Sequence, residues 1–187
     1  MSGVRLVIFG RQGAGKGTQC ARLSERYGVP HVSTGDMLRA AAEAGTPFGL
    51  KAKEIMDAGD LVPDDVMFGL VEERLAQPDA AAGVLLDGFP RTDEQASVLD
   101  RILGEHPLMA AINLEVPEDI VIERMLARGR EDDTEEAIRR RLDLYLAQTA
   151  PLLEHYDSRG LLVEVDGVGT EEEVAQRLVA AVEARRS

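Results

Sequence analysis

The sequence predicts an α/β fold, a five-stranded parallel sheet flanked by helices on both faces. Two observations carry the prediction. Short β-branched or leucine-rich runs alternate with longer segments of helical period, the pattern of repeated βαβ units. The first of these runs passes directly into a glycine-rich loop that opens a helix, a junction suited to holding phosphate.

Five runs bounded by glycine, proline or a capping residue are the predicted strands: 4–9, 29–33, 83–86, 110–116 and 161–165. Helix starts are marked chemically. Thr92-Asp93-Glu94-Gln95 and Thr170-Glu171-Glu172-Glu173 fit the capping box, in which the first hydroxyl and the fourth side chain satisfy orphan amides reciprocally. Pro117-Glu118-Asp119 places a proline where its missing amide costs nothing, and acids where the helix dipole favours them. Residues 132–156 read as one long charged helix, with Glu135–Arg139 and Glu136–Arg140 at i,i+4 spacing on a solvated face. Two stretches break the alternation. Residues 34–64 insert helices between strands two and three, and 128–133 form a short arginine-rich and acidic connection. Both are candidate moving parts of a single domain spanning 1–187, whose core comprises about 1–33, 65–127 and 134–187.

Length and composition agree with one domain. The chain has 187 residues, 44% hydrophobic and 29% charged, enough for one filled core and short for two. It contains no apolar run long enough to span a membrane, and Met1-Ser2-Gly3 leads straight into a strand, so a soluble cytoplasmic protein is expected. The single cysteine, Cys20, excludes an internal disulfide and a cysteine-based zinc cluster, and is expected as a small buried residue of the first helix. His31, His106 and His155 stand too far apart in sequence to suggest a local metal site. A net charge of −13 disfavours nucleic acid and anionic membranes as partners. Any bound phosphate must therefore be held by a local cluster of cations. Lysine occurs only at positions 16, 51 and 53, which makes the lysine inside the glycine-rich loop conspicuous.

That loop reads Gly10-Arg11-Gln12-Gly13-Ala14-Gly15-Lys16-Gly17-Thr18 and matches Gly-x-x-x-x-Gly-Lys, with the hydroxyl one place later than usual, at Thr18. Glycines let successive amides curl inward toward phosphate oxygens, and the helix N-terminus adds positive charge. Lys16 would bridge the outer phosphates as a point charge. A dinucleotide fingerprint fits poorly, because the glycine spacing is out of register and no acid ends the second strand.

The second informative string, Leu85-Leu86-Asp87-Gly88-Phe89-Pro90-Arg91-Thr92, ends the third predicted strand. Asp87 is placed to hold magnesium through water, with Thr18 as a weaker candidate ligand, and Arg91 to neutralise a phosphate. Arg124 and Arg128 lie one turn apart on the helix opened by Pro117. Their like charges repel unless an anion sits between them.

Four strings, Gly-Ala-Gly-Lys-Gly-Thr-Gln at 13–19, Ser-Thr-Gly-Asp-Met-Leu-Arg at 33–39, Asp-Gly-Phe-Pro-Arg-Thr at 87–92 and Arg-Arg-Leu at 140–142, closely resemble the adenylate kinase family, in family order and nearly end to end. The resemblance implies a P-loop kinase fold with a helical NMP-binding insertion at about 34–64 and a short lid at about 128–133. It implies an ATP site at Gly13, Ala14, Gly15, Lys16, Gly17 and Thr18, with Arg124 and Arg128. It implies an AMP site at Thr34, Gly35, Arg39, Asp60, Leu61, Val62, Gly88, Arg91 and Gln95, with Arg130 and Arg141. For Gln95, reading the adenine edge competes with the capping box. Lys16, Arg91, Arg124, Arg128, Arg130 and Arg141 are the implied catalytic set, stabilising the phosphoryl group in Mg-dependent transfer from ATP to AMP, giving two ADP.

Two departures stand out. Gln12 replaces a proline common in the family's loop, and only Gly129, Arg130 and Glu131 separate Arg128 from Asp132, leaving no room for a zinc-bearing lid. A CMP or UMP kinase shares the loop and the arginines. A non-catalytic nucleotide switch is the remoter alternative, since the chain has no guanine-recognition signature. ATP, AMP and ADP are the expected partners, and a monomer is the default.

Overall fold

The computed structural model describes residues 3–131 and 133–186. In chain order its elements are β1 (Arg5–Phe9), α1 (Lys16–Tyr27), β2 (His31–Ser33), α2 (Thr34–Glu43), α3 (Pro47–Asp57), α4 (Asp64–Leu75), β3 (Val84–Asp87), α5 (Asp93–Leu103), β4 (Ala110–Glu115), α6 (Glu118–Arg128), α7 (Glu135–Leu144), α8 (Ala150–Ser158), β5 (Leu162–Asp166) and α9 (Glu171–Arg186). The strands form one parallel sheet in the order β2-β3-β1-β4-β5. The predicted α/β class and strand count hold, with strand ends displaced by a residue or two. The largest difference is at β2, which begins at His31 because Pro30 has no amide for a ladder bond.

Alternation along the strands divides the core between the two faces of the sheet. Leu6, Ile8, Ile112 and Leu114 pack against α1, α6 and α9 through Cys20, Leu23, Val121, Met125 and Leu178. Val7, Phe9, Leu86 and Ala111 turn the other way, onto Phe89, Leu99, Leu152 and Tyr156. Both faces being covered explains why the strands read as continuous apolar runs.

The connection after β1 leads toward the β2 edge, whereas the one after β3 crosses to β4. Neighbouring strands β1 and β3 thus send their chains in opposite directions. Such a switch point opens a crevice at the carboxyl ends of the strands. Here that crevice is a cleft of about 900 Å³.

The caps form largely as predicted. At α9, Thr170 N donates to Glu173 at 2.8 Å while Glu173 N donates to Thr170 Oγ1 at 3.3 Å, a complete capping box. At α5 only half of it forms: Gln95 N donates to Thr92 Oγ1, but the Gln95 side chain reaches Arg91 N instead of the Thr92 amide.

The long charged helix needs correction. Its predicted start at Asp132 lies outside the described residues, and α7 begins at Glu135, capped by the Thr134 hydroxyl. Between α7 and α8, residues Tyr145–Thr149 widen into a π turn. The cause is Pro151, which has no amide for the preceding turn and collides with an ordinary α ladder. Of the two predicted i,i+4 pairs, Glu135–Arg139 forms at 2.6 Å. Arg140 turns instead to Asp60, across the space between α7 and the segment after α3. No described helix is long and apolar enough to cross a membrane.

Candidate active site

The glycine-rich loop follows the central strand and enters α1 through Gly15, which sits at φ 95° as the helix N-cap. A side chain at Gly13 would stand 2.6 Å from the Val121 carbonyl oxygen and 2.9 Å from Met125, so only glycine lets the loop lie against α6. Lys16 Nζ donates to the carbonyls of Gly10 at 2.9 Å and Arg11 at 3.1 Å, which folds the side chain over the loop's hollow. Burial holds its pKa below the ordinary lysine value, an effect the neighbouring Asp87 opposes.

The cleft concentrates positive charge in a protein that is acidic overall. Lys16, Arg39, Arg91, Arg124, Arg128, Arg130 and Arg141 all line it, against Asp36, Asp87 and Glu171. Burial lowers the Arg91 pKa, and its Nε donates to Gly88 O at 2.9 Å. Arg124 donates to the Ala14 carbonyl at 3.2 Å, tying α6 to the phosphate loop.

The repulsion between Arg124 and Arg128 is answered in part from within the protein. Asp133, its side chain shielded from solvent, takes bonds from Arg128 Nε at 2.9 Å and Nη2 at 2.7 Å, and lies 3.5 Å from Arg141 Nη1. Arg141 also donates to the Met56 carbonyl at 2.8 Å. Sequence reasoning missed Asp133; the signal was an acid inside an arginine-rich connection.

On the opposite wall, Gly35, Asp36, Arg39 and Leu61 line the cleft. Arg39 pairs with Asp36, whose amide is capped by the Ser33 hydroxyl at 3.3 Å. Thr34 is buried just beneath, and a side chain at Gly88, where φ is 84°, would stand 2.7 Å from its hydroxyl. Asp60 turns to Arg140, and Val62 packs in the core. Gln95 is only 2% exposed. Its Oε1 accepts from Arg91 N at 2.7 Å and its Nε2 donates to Asp64 Oδ1 at 2.6 Å, while Thr92 donates to the other Asp64 oxygen at 3.0 Å. Asp64 is a second residue the sequence did not flag; an acid in the first turn of α4 gives no signal beyond the helix dipole.

Asp87 ends β3, opposite Ile8 in β1 and Ser33 in β2. Burial pushes its pKa up, but His31, Lys16 and Arg91 outweigh it and hold the carboxyl below its ordinary value. The cleft therefore presents an ionised hard oxygen beside the phosphate loop, a donor suited to magnesium held through water. Thr18, exposed at the start of α1, lines the same cleft.

A phosphate loop at the central strand and arginines converging from α2, α6 and α7 define a P-loop phosphotransferase. Comparison narrows the class. The family model for adenylate kinase matches residues 8–161. The chain is 55% identical over 181 residues to the adenylate kinase of Nocardia farcinica (strain IFM 10152), which covers 96% of this chain and 99% of that one. It is 53% identical over 181 residues to the adenylate kinase of Corynebacterium aurimucosum, with the same coverage. To the adenylate kinase of Xylella fastidiosa (strain 9a5c) it is 49% identical over 185 residues, again covering 96% and 99%. The chain belongs to the adenylate kinase family.

Proposed function

We propose that this enzyme reversibly transfers the γ-phosphoryl group of Mg·ATP to AMP, giving two ADP, and so serves nucleotide interconversion and energy balance. The observation that carries the reading is the convergence of Lys16 and the arginines at 91, 124, 128, 130 and 141 on one cleft. Phosphoryl transfer asks for positioning and charge neutralisation more than for covalent chemistry, and a passive binder has no use for so many guanidinium groups.

The loop amides of 13–18 and Lys16 cradle the donor phosphates, with Arg124 and Arg128 above them. Gly35, Arg39, Leu61, Gly88 and Arg91 hold the acceptor, with Thr34, Asp60, Val62 and Gln95 forming or bracing the wall behind it. Arg130 and Arg141 reach the phosphoryl group between the two nucleotides. An oxygen of AMP attacks in line; its phosphate is already ionised, so no general base is required. Magnesium, held through water at Asp87 with Thr18 nearby, would neutralise charge on the donor phosphates. Residues 34–64 act as the acceptor-binding insertion and 128–133 as a short lid, and their closure excludes the water that would otherwise take the phosphoryl group. Lid closure is a general gating motion of adenylate kinases, and in this chain the lid is short. We place the enzyme in the cytoplasm, a reducing compartment that suits its single unpaired cysteine, and take a monomer as the default.

The test is ADP formation from Mg·ATP with AMP, CMP, UMP, GMP or no acceptor. Rapid ADP formation with AMP, abolished by chelating magnesium, is expected. Faster transfer to CMP or UMP would overturn the acceptor assignment.

A further inference from the structure

Beneath the phosphate-binding residues the fold gathers three side chains that the sequence keeps apart: Cys20 on α1, His31 at the start of β2 and Asp87 at the end of β3. One donor atom from each, a thiol sulfur, an imidazole nitrogen and a carboxylate oxygen, lies within 4.8 Å of the other two. Parallel pairing of β2 with β3 places His31 opposite Leu85 and Ser33 opposite Asp87, and α1 packs across both strands. Cys20 is fully buried and forms no disulfide. His31 Nε2 is shielded from solvent and has no hydrogen-bond partner, since Asp87 Oδ2 stands 3.7 Å away, beyond bonding length. A buried ring nitrogen left in this way is costly, and a metal ion would satisfy it.

We propose that Cys20, His31 and Asp87 form a site for a thiophilic divalent cation such as Zn²⁺, and that its occupancy inhibits phosphoryl transfer. A sulfur, nitrogen and oxygen donor set favours zinc over magnesium, which takes oxygen ligands in octahedral geometry. Tetrahedral zinc, with bonds of about 2.0–2.3 Å, wants its donors roughly 3.5 Å apart, so closure of the site asks for side-chain shifts of about an ångström. His31 and Asp87 line the cleft, from which water would supply the fourth ligand. On binding, the thiol proton of Cys20 passes to solvent as the sulfur–metal bond forms, and no redox change occurs. Inhibition follows because Asp87 is withdrawn from the nucleotide's magnesium. That half of the proposal rests on the phosphoryl-transfer reading; the binding half does not.

The experiment titrates the reduced, nucleotide-free protein with Co²⁺, reading the thiolate-to-cobalt charge-transfer band, then adds Zn²⁺ as competitor. One equivalent of cobalt, displaced by zinc, is expected. Cys20→Ser should abolish the band, and His31→Gln should weaken binding at least tenfold while circular dichroism confirms the fold. Absence of the band, or its retention in Cys20→Ser, overturns the site. In parallel, turnover with excess magnesium, ATP and AMP is measured with and without equal total Zn²⁺. Wild-type turnover should fall several-fold and recover with a zinc-selective chelator, while Cys20→Ser resists. A cobalt band with zinc-insensitive turnover overturns the inhibitory role. Inactive metal-free protein would instead refute the phosphoryl-transfer reading and leave the spectroscopic result standing.

Discussion

Asp133 shows how one unremarked residue reorganises a group of conspicuous ones. Burial raises its pKa, but the bonds and charge of Arg128 outweigh this and hold it below the ordinary value of 3.8. A carboxyl depressed on folding stabilises the protein at pH above its unfolded value and loses that contribution as pH falls through the folded one. Asp133→Asn should therefore lower thermal stability at neutral pH and flatten the decline below about pH 4, as read by melting across pH. An unchanged acid limb would show that the pair carries no such linkage. Asp64 works through another residue: by fixing the Gln95 amide it braces the wall proposed to stand behind the acceptor. Asp64→Ala should raise KM for AMP about tenfold, with kcat and KM for ATP little changed, since it strands the Gln95 and Thr92 donors, at a cost on the order of 1–3 kcal/mol each. A lower melting temperature with an unaltered AMP KM would reduce Asp64 to a helix-start acid. Arg91→Ala should cut turnover by roughly 10³ without unfolding the protein, and near-normal turnover would remove Arg91 from the mechanism.

Elements differ in how far the sequence disclosed them, and the difference follows the range of the interactions. Capping boxes and the phosphate loop are local: Thr170 and Glu173, or Gly13 to Lys16, carry their geometry within a few residues, and they were legible. The π turn at Tyr145–Thr149 was not, although Pro151 stood in view, because charged periodicity on both sides masked the break. Nor could spacing reveal that Arg140 leaves Glu136 for Asp60, eighty residues away in sequence, or that His31 approaches Asp87. Two ion pairs join the segments proposed to move. Lys53, midway along α3, meets Glu131 in the proposed lid at 3.1 Å, and Arg140 on α7 meets Asp60 beyond α3. Both pairs are exposed, so the coupling energy of Arg140 with Asp60 should be about 1 kcal/mol or less. Their proposed role is to hold the insertion against the lid and α7. Glu131→Gln combined with Arg140→Ala should raise ATP hydrolysis relative to transfer, measured as phosphate released per ADP formed; an unchanged ratio would show that these pairs do not govern water exclusion.

For the whole molecule, charge and topology act together. A net charge of −13 would repel nucleotides were the cations not gathered at the switch point between β1 and β3, where arginines from distant parts of the chain reach one cleft. Such focusing is screened by salt over a Debye length of about 8 Å at physiological ionic strength, so KM for AMP should rise with added sodium chloride. Composition alone suggested an acidic surface; the motifs singled out the cations, and the fold gathers them into one cleft. This cleft is proposed to pass a phosphoryl group between two nucleotides and not to water. The most direct measurement is a single turnover with γ-labelled Mg·ATP and excess AMP, following the label. The label is expected in the β-position of newly formed ADP, with little free phosphate; label released chiefly as free phosphate would show that water, not AMP, takes the group.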